Sequence, residues 1–486
     1  MELENLSHKA AASVWRQAFH IQPKYGLLND PNGFGWFDGK YHLFYQWFLL
    51  GAVHGLKHWY HVTSIDLVNW KDEGVALTPE YDHESHGIFS GSSLASKDKL
   101  YLFYTANKRD SDWVRHSSQA LAWLNKDGSI EKLEKPLISK PPEGYTDNFR
   151  DPKVLKHERM YYMFVGGQTD EQTGCILTYQ SNDLSNWLFK GPLGINVERL
   201  GFMWECPDVF SIDGKDLLML SPQGLSSKGH QFQNVYHSGT FIGEHQIAEN
   251  IFRTAGEFQE LDCGFDFYAP QTTLGPDNRR ILIGWMDLPD TIYPADVDGW
   301  ANCLTIPREL SIKQNRLIQK PVAELMKLRQ EAYKIEIELV SEQLEIANAN
   351  GRPVEIHLIL TNVGCEQAGI KFNVSEQEET VLLLNFAEGH LVLDRTLAGQ
   401  PIAEDDGTIR RKPYMETTVE LTLFIDTSSV EVFVNQGEAV FTSRLFPNPD
   451  SQRLKLFAED GGCKFDATVW SLGSEFSKEL SLNFFQ

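Results

Sequence analysis

The stretch Leu28-Asn29-Asp30-Pro31-Asn32-Gly33 leads into the apolar-aromatic segment Tyr41-His42-Leu43-Phe44-Tyr45. The second segment is short, rich in Tyr, Phe and Leu, and bounded by polar and glycine residues, which is typical of a β-strand. Similar segments recur along the chain, with successive starts 56 to 64 residues apart: Tyr41–Tyr45, Leu100–Tyr104, Tyr161–Val165, Leu217–Ser221 and Ile281–Trp285.

A repeat of this length predicts one four-stranded blade with long loops, and five repeats predict a five-bladed β-propeller. A second recurring motif supports the repeat, because the pattern Ser-x-Asp-Leu-x-Asn-Trp occurs at residues 64–70 and again at 181–187. The predicted fold class is all-β, with the propeller as the catalytic domain at residues 1–312.

The repeat ends after residue 310, and the one clear amphipathic helical pattern follows at Pro321–Arg329. We expect residues 313–334 to form a linker with a short helix. From residue 335 to 486, alternating segments such as Val430–Val434 and turn signals such as Asn350-Gly351 return. They predict a separate C-terminal β-sandwich domain.

Composition excludes some classes of partner. The 486 residues include 67 acidic and 44 basic side chains, for a formal net charge of −23. Nucleic-acid binding and binding to an anionic membrane both require a basic surface, so we expect neither. The six scattered cysteines have no CxxC spacing, and the N-terminal segment is polar, without an apolar signal core. These features predict a cytoplasmic protein and leave its oligomeric state open.

Each repeated segment is preceded by a position that should lie on the innermost strand of its blade, next to the propeller axis. These positions are Asp30, Ser90, Asp151, Glu205 and the segment Tyr268–Gln271. A lone Asp-Pro or Asn-Gly pair is usually only a turn. Three acids at equivalent places in successive repeats instead predict carboxylates that converge on one axial pocket.

Converging carboxylates have a chemical use. Glycoside hydrolysis needs one carboxylate as nucleophile and one carboxylic acid to protonate the leaving oxygen. Asp30 suits the nucleophile because its side chain is short, and Glu205 has the longer reach that suits the acid/base. Like charges held close raise the pKa of one member of the pair. We expect Asp151 to stay ionised beside the guanidinium of Arg150 and to hold sugar hydroxyls.

Several motifs together resemble the signature of glycoside hydrolase family 32, the invertases and fructanases: NDPNG at 29–33, FSGS at 89–92, RDP at 150–152 and ECP at 205–207. Further segments are similar to the bacterial sucrose-6-phosphate hydrolase branch of that family: VHGLK at 53–57, DFYAPQ at 266–271 and IGWM at 283–286. Residues 426–444 resemble the C-terminal sandwich of the family. The resemblance covers nearly the whole chain.

The resemblance implies a retaining β-fructofuranosidase that cleaves the terminal β-D-fructofuranoside bond of sucrose or sucrose 6-phosphate by double displacement. It implies that Asp30 is the nucleophile, Glu205 the acid/base and Asp151 the stabiliser of the transition state. It also implies a fructosyl subsite: Asn29, Gln46, Phe89, Ser90 and Arg150, with Tyr268 and Trp285 as further pocket members. The family chemistry needs no metal and no organic cofactor.

One position departs from the family pattern. Many invertases carry a Trp where this chain has His54, on the leaving-group side, which leaves the substrate preference open. Sucrose imported with phosphorylation would be met in the cytoplasm as its 6-phosphate, so we expect both sugars to be accepted. A phosphate at the pocket mouth needs cationic donors. The candidates are His54, Lys57, Arg109 and Arg115, and a solvated surface charge is an equally good interpretation of each.

Other functions remain open at this point. A fructan hydrolase or a fructosyltransferase would use the same carboxylates on the same scaffold. A non-catalytic sugar-binding propeller, or a scaffold for protein partners, is disfavoured because neither needs Asp30 and Glu205 at the axis.

Overall fold

The computed structural model describes residues 2–346 and 351–473, so the end of the predicted sandwich, residues 474–486, lies outside the described residues. One α-helix, α1, spans Glu2–Ala11. Short 3₁₀ helices span Asp82–Glu84, Ile247–Glu249, Pro294–Asp298, Ala323–Leu328 and Glu404–Asp406. Within the two described ranges, no helix combines the length and the apolar character needed to cross a membrane.

The first three blades are each built on four antiparallel strands that pair in chain order. Blade one contains β1 (Gly26–Phe37), β2 (Lys40–Phe48), β3 (His58–Ser64) and β4 (Lys71–Leu77). Blade two contains β5 (Ile88–Ser96), β6 (Lys99–Arg109), β7 (Arg115–Asn125) and β8 (Ile130–Lys132). Blade three contains β9 (Tyr145–His157), β10 (Met160–Thr169), β11 (Gly174–Ser181) and β12 (Leu188–Pro192).

Blades four and five carry additional short strands. Blade four contains β13 (Gly194–Ile195), β14 (Met203–Ile212), β15 (Lys215–Gln223), β16 (Gly239–Gln246), β17 (Ile251–Thr254) and β18 (Gln259–Glu260). Blade five begins with β19 (Tyr268–Leu274) and β20 (Arg280–Met286). The chain then forms β21 (Trp300–Ala301), which pairs in parallel with β1 of blade one. It returns to blade five as β22 (Cys303–Leu304), β23 (Arg308–Lys313) and β24 (Arg316–Pro321).

The innermost strands of the five blades form a closed ring. They are β1, β5, β9, β14 and β19, and each contacts the inner strands of both neighbouring blades, with β19 returning to β1. The five repeated sequence segments all lie in the second strands, β2, β6, β10, β15 and β20. This arrangement confirms the five-bladed propeller that the repeat predicts.

The pattern Ser-x-Asp-Leu-x-Asn-Trp forms the same turn twice, after the third strand of blade one and of blade three. Asp66 Oδ1 accepts the backbone amide of Asn69 at 2.9 Å, and Asp183 Oδ1 accepts that of Asn186 at 2.8 Å. In both turns the leucine has a positive φ. The repeated sequence therefore specifies a repeated turn through side-chain to backbone hydrogen bonds.

After blade five the chain forms a sandwich of two six-stranded antiparallel sheets. The first sheet, in spatial order, contains β25 (Arg329–Val340), β36 (Gly462–Leu472), β27 (Val354–Asn362), β32 (Thr418–Ile425), β33 (Ser429–Val434) and β34 (Ala439–Arg444). The second contains β26 (Gln343–Glu345), β35 (Arg453–Glu459), β28 (Gln367–Val374), β29 (Glu379–Asn385), β30 (His390–Leu397) and β31 (Ile409–Pro413). Buried aliphatic side chains of both sheets, such as Ile356 and Leu456, form one core, which confirms the predicted sandwich.

The junction between the domains differs from the predicted linker at 313–334. Strand β24 lies inside that range and pairs with β23, so blade five extends past residue 312. The tight turn between them has positive φ at both Gln314 and Asn315, the geometry of a two-residue hairpin that the sequence interpretation overlooked. The predicted helix is the 3₁₀ segment Ala323–Leu328, and β25 already begins at Arg329. We propose a domain boundary near residue 322.

Paired charges are buried where the propeller meets the sandwich. Arg308 of β23 donates to Glu431 of β33 at 2.6 Å and lies 3.2 Å from Asp262. His20 lies 2.7 Å from Asp426 and 3.1 Å from Glu431. A buried charge is tolerated only with close partners. Glu431 and Asp426 belong to the sandwich, whereas Arg308, Asp262 and His20 belong to the propeller or to the segment that precedes it.

Candidate active site

The five inner strands are interrupted at equivalent places. Against the second strand of its blade, each inner strand breaks register in the same region: between Asn29 and Pro31, Ile88 and Gly91, Arg150 and Lys153, Glu205 and Asp208, and Tyr268 and Gln271. A β-bulge re-aims the neighbouring side chains and is common beside active sites. All three predicted carboxylates stand at or beside these bulges.

Proline explains why the bulges form there. Because proline has no N–H, it loses no ladder hydrogen bond at an unpaired position. Three of the five interruptions contain an unpaired proline, Pro152, Pro207 or Pro270, and Pro31 borders a fourth. The residue before the proline has a φ of 68° at Asp151, 49° at Cys206 and 47° at Ala269. Non-glycine residues rarely adopt such values, and this kind of strain concentrates at functional sites.

Asp30 is held by side chains of blades one and two. Asn29 Nδ2 donates to its Oδ1 at 3.2 Å, and Gln46 Nε2 donates to its Oδ2 at 3.3 Å. The Ser90 hydroxyl also donates to Oδ2 and accepts from Gln46 at 2.5 Å. Burial raises the pKa of Asp30; the Ser90 hydrogen bond lowers it and the charge of Glu205 raises it again.

Glu205 is held by donors from blades three, four and five. Arg150 Nε donates to Oε1 at 2.7 Å. The other carboxyl oxygen, Oε2, accepts from the Tyr268 hydroxyl at 2.5 Å and from Gln223 Nε2 at 2.8 Å. The side chain of Glu205 keeps 14% of its surface exposed, so the carboxyl group is accessible from the pocket.

The surroundings of Asp151 differ from those that the sequence suggests. The sequence predicts that Asp151 stays ionised beside Arg150, but the Arg150 guanidinium forms its ion pair with Glu205. Neighbours on a strand point in different directions, and Asp151 accepts the backbone amide of Cys206 at 3.1 Å. Burial raises the pKa of Asp151 to about 7; the charge of Glu205 raises it and that of Arg150 only partly offsets the rise. The buried carboxyl group therefore binds a proton more readily than an exposed aspartate does.

The structure brings the three carboxyl groups close enough at the propeller axis for their charges to interact. Besides burial, which is the largest cause, the charge of Glu205 raises the pKa of both Asp30 and Asp151. Across the part of the chain that the structure describes, no group of three or more His, Cys, Asp or Glu side chains is arranged to hold a metal ion.

Aromatic rings and unpaired polar atoms complete the pocket. The ring of Trp285 lies 6.4 Å from that of Tyr268 and 6.3 Å from that of His54. Half-buried Phe89 lies within the bulge of β5, and its carbonyl accepts a hydrogen bond from Trp59. Asn29 Oδ1 and Trp285 Nε1 are buried without a hydrogen-bond partner among the described residues. A bound hydroxyl-rich ligand would supply hydrogen-bond partners for both atoms.

The four predicted cationic candidates occupy different environments. His54 is exposed on the loop after β2; the surrounding protein and the charge of Lys57 both lower its pKa, so its imidazole is neutral at pH 7. The Lys57 amine is buried, and Nζ has no hydrogen-bond partner in the described chain. Arg109 and Arg115 stand opposite each other at the end of the β6–β7 hairpin.

Sequence reasoning missed Gln223, a direct partner of Glu205. It lies just after the repeated segment Leu217–Ser221, as Gln46 lies just after Tyr41–Tyr45. A comparison of the polar residues that end the second strands would have indicated it. The orphaned amine of Lys57 had no such signal, because only the fold shows that its loop buries the side chain.

Sequence comparison with known proteins identifies the family of the chain. Residues 20–321 match the glycosyl hydrolases family 32 N-terminal domain, and residues 322–471 match the glycosyl hydrolases family 32 C terminal domain. The chain is 44% identical to the sucrose-6-phosphate hydrolase of Staphylococcus xylosus, over 97% of this chain and 95% of that protein. It is 39% identical to the sucrose-6-phosphate hydrolase of Bacillus subtilis, over 97% of both.

Solved structures show the same architecture over nearly the full length. The sucrose-6-phosphate hydrolase of Lactobacillus gasseri superposes with a TM-score of 0.91 at 34% identity, covering 97% of this chain and 96% of that one. The family 32 β-fructofuranosidase of Bombyx mori superposes with a TM-score of 0.84 at 32% identity, covering 97% of each chain. Two domain matches that together span residues 20–471, and relatives similar over nearly the full length, show that the chain belongs to glycosyl hydrolases family 32.

Proposed function

We propose that the chain is a retaining β-fructofuranosidase that hydrolyses the terminal β-D-fructofuranoside bond of sucrose and of sucrose 6-phosphate. The observation that carries the proposal is the presence, in one axial pocket, of two differently held carboxyl groups, Asp30 and Glu205. A retaining glycosidase needs such a pair roughly 5–5.5 Å apart, one as nucleophile and one as acid/base. The names of the relatives supply the two substrates.

Asp30 is the nucleophile in this proposal. Its donors Asn29, Gln46 and Ser90 fix the orientation of the carboxylate before substrate binds, which reduces the entropy cost of attack. They also favour the ionised form against the effect of burial. An ionised, fixed carboxylate is the form that attacks an anomeric carbon.

Glu205 is the acid/base. Its donors Arg150, Tyr268 and Gln223 hold it from three blades and leave part of it facing the pocket. The charge of Glu205 adds to burial in raising the pKa of Asp30 and of Asp151. In this proposal Glu205 is the member of the cluster that delivers a proton to the glycosidic oxygen. Groups near Glu205 consequently face the leaving sugar.

Asp151 stabilises the transition state. The strained backbone at Asp151 turns a buried carboxyl group toward the pair, and hydrogen bonds from fructosyl hydroxyls to that group strengthen as positive charge develops on the ring. Asn29, Gln46, Phe89, Ser90 and Arg150 complete the fructosyl subsite, with Tyr268 and Trp285 beside them and His54 on the leaving-group side.

The proposed reaction proceeds in two displacement steps. In the first, an Asp30 oxygen bonds to the anomeric carbon as the glycosidic bond breaks, and the leaving oxygen takes the Glu205 proton. In the second, Glu205 removes a proton from water, whose oxygen displaces Asp30 and releases fructose. The cycle consumes one water and returns both carboxyl groups to their initial state.

We propose the cytoplasm as the location. The support is chemical: the six cysteines are all free thiols, as expected in a reducing compartment. Sucrose 6-phosphate carries a charge that keeps it inside a cell once it is formed there.

Product analysis tests the proposed function. Purified protein is incubated with sucrose, sucrose 6-phosphate and inulin, with Asp30→Ala as the matched inactive control. The proposal predicts fructose with glucose or glucose 6-phosphate. Mainly longer oligosaccharides would indicate a fructosyltransferase, preferred cleavage of inulin a fructan hydrolase, and no reaction a sugar-binding propeller.

A further inference from the structure

Two arginines face each other at the end of the β6–β7 hairpin, which reaches the axial pocket from blade two. Arg109 and Arg115 are direct cross-strand partners. Like charges directly opposite on neighbouring strands are destabilising. The hairpin nevertheless keeps both, in a chain with 67 acidic side chains available to neutralise them.

Neither arginine has a carboxylate partner. The Arg115 guanidinium makes no hydrogen bond or ion pair with any residue that the structure describes, and it lies 5.8 Å from the ring centre of Phe89. Arg109 donates to the Trp113 carbonyl at 2.8 Å and stacks on the Trp113 ring, which leaves its other donors free. The nearby Asp110 is occupied by His116 at 2.9 Å.

The pair also lies near the axial carboxyl groups, because Arg115 lies over Phe89, the residue before Ser90 on the inner strand of blade two. Burial lowers the pKa of Arg115 to about 10, the charges of Arg150 and Arg109 lower it further, and those of Glu205 and Asp151 raise it. Arg115 is therefore within electrostatic reach of the residue that protonates the leaving oxygen, and it remains charged at neutral pH.

We propose that Arg115 and Arg109 together bind the 6-phosphate of the glucosyl unit that leaves from sucrose 6-phosphate. The inference rests on the proposed function and names the residues that select the phosphorylated substrate. A guanidinium presents paired donors that match a phosphate dianion. The dianion would neutralise both cations and relieve their mutual repulsion.

The other two cationic candidates fit this role less well. The His54 imidazole is neutral, and the buried Lys57 amine interacts with the charge of Asp30, on the nucleophile's side. Trp113, which is 66% exposed, offers an apolar face beside Arg109 for the glucosyl ring. The hairpin therefore supplies both charge and a stacking surface for the leaving group.

The test measures kcat/KM for sucrose 6-phosphate and for sucrose in the wild type and in Arg115→Gln, Arg115→Lys and Arg109→Gln. Arg253→Gln, on the exposed outer strand β17, is the matched control. Loss of a charge-assisted contact predicts that the ratio of the two kcat/KM values, phosphorylated over plain, falls roughly 10- to 100-fold in Arg115→Gln. Arg115→Lys should fall less, and Arg253→Gln should keep the wild-type ratio.

Inhibition gives a second readout. Glucose 6-phosphate should inhibit sucrose hydrolysis more weakly in Arg115→Gln than in the wild type, while inhibition by glucose should change little. An unchanged kcat/KM ratio together with unchanged glucose 6-phosphate inhibition would overturn the phosphate site. A wild type that hydrolyses neither sugar would instead overturn the proposed function, so the two failures are distinguishable.

Discussion

Arg150 of blade three and Glu205 of blade four form an ion pair of 2.7 Å at the propeller axis. The pair links Glu205, the proposed acid/base, to the strand that also carries Asp151, so two of the three axial acids depend on one bulge. The donors of Asp30, the proposed nucleophile, come instead from blades one and two. Asp30 and Glu205 are thus held by different parts of the ring.

Removal of Glu205 should separate protonation from nucleophilic attack. Glu205→Ala should lower kcat for sucrose roughly 100- to 10,000-fold, the usual contribution of a general acid/base. An aryl fructoside with an activated leaving group needs less protonation, so its first displacement should lose much less. Steady-state and pre-steady-state rates with both substrates measure the difference.

Glu244→Ala, on the exposed face of β16, serves as control for the loss of a carboxylate and should behave like the wild type with both substrates. If Glu205→Ala slowed the first displacement of both substrates to the same extent, Glu205 would not be the acid.

The buried amine of Lys57 should shape the acid limb of the pH profile. Burial lowers the pKa of Lys57 to about 7, and the charge of Asp30 opposes that shift. Reciprocally, protonated Lys57 favours ionised Asp30. Lys57→Met should therefore raise the pKa of Asp30 and move the acid limb of kcat/KM for sucrose to higher pH, by up to roughly one unit.

Lys57→Arg keeps the positive charge and should leave the acid limb closer to its wild-type position. An acid limb that is identical in Lys57→Met and the wild type would show that the amine has no electrostatic role toward the nucleophile.

Much of the fold follows from local sequence. The recurring segments predict the second strand of every blade because strand residues and turn signals are local, and counting back from them finds the inner-strand positions of Asp30, Asp151 and Glu205. The prolines beside those acids mark the bulges for the same reason. Strand β24 was missed because a two-residue hairpin turn gave only a weak signal.

Side-chain contacts between blades do not follow from local sequence. Arg150 and Asp151 are neighbours in sequence, which suggests an ion pair, yet the bulge sends the guanidinium to Glu205, 55 residues away in the chain. The Gln223 contact and the burial of Lys57 likewise depend on how separate blades close on one axis. Residue types identify the candidates, and only the tertiary structure assigns their partners.

Deprotonation of His20 should lower the free energy of unfolding at alkaline pH. Burial lowers its pKa, but hydrogen bonds to Asp426 and Glu431 outweigh burial and raise it to about 9. A raised folded-state pKa gives stability that is fully present below the unfolded value near 6.5 and is lost as pH rises through about 9. The free energy of unfolding should therefore fall by roughly 3 kcal/mol over that range, since each pKa unit corresponds to about 1.4 kcal/mol.

Denaturant unfolding of the wild type, His20→Gln and the exposed-site control His8→Gln measures this dependence. His20→Gln should be less stable at pH 6.5 and should show a smaller decline toward pH 9, whereas His8→Gln should follow the wild type. Parallel declines in all three proteins would rule out His20 as the source.

Trapping the covalent intermediate tests the central claim, that Asp30 is the nucleophile of a double displacement, most directly. In Glu205→Gln an activated aryl fructoside still fructosylates the enzyme, but water is no longer activated to release the sugar, so the fructosyl-enzyme accumulates. Mass spectrometry of rapidly quenched digests should find one added fructosyl group on the peptide that contains Asp30. A fructosyl group on another residue, or an unmodified enzyme that releases α-fructose first, would contradict the account.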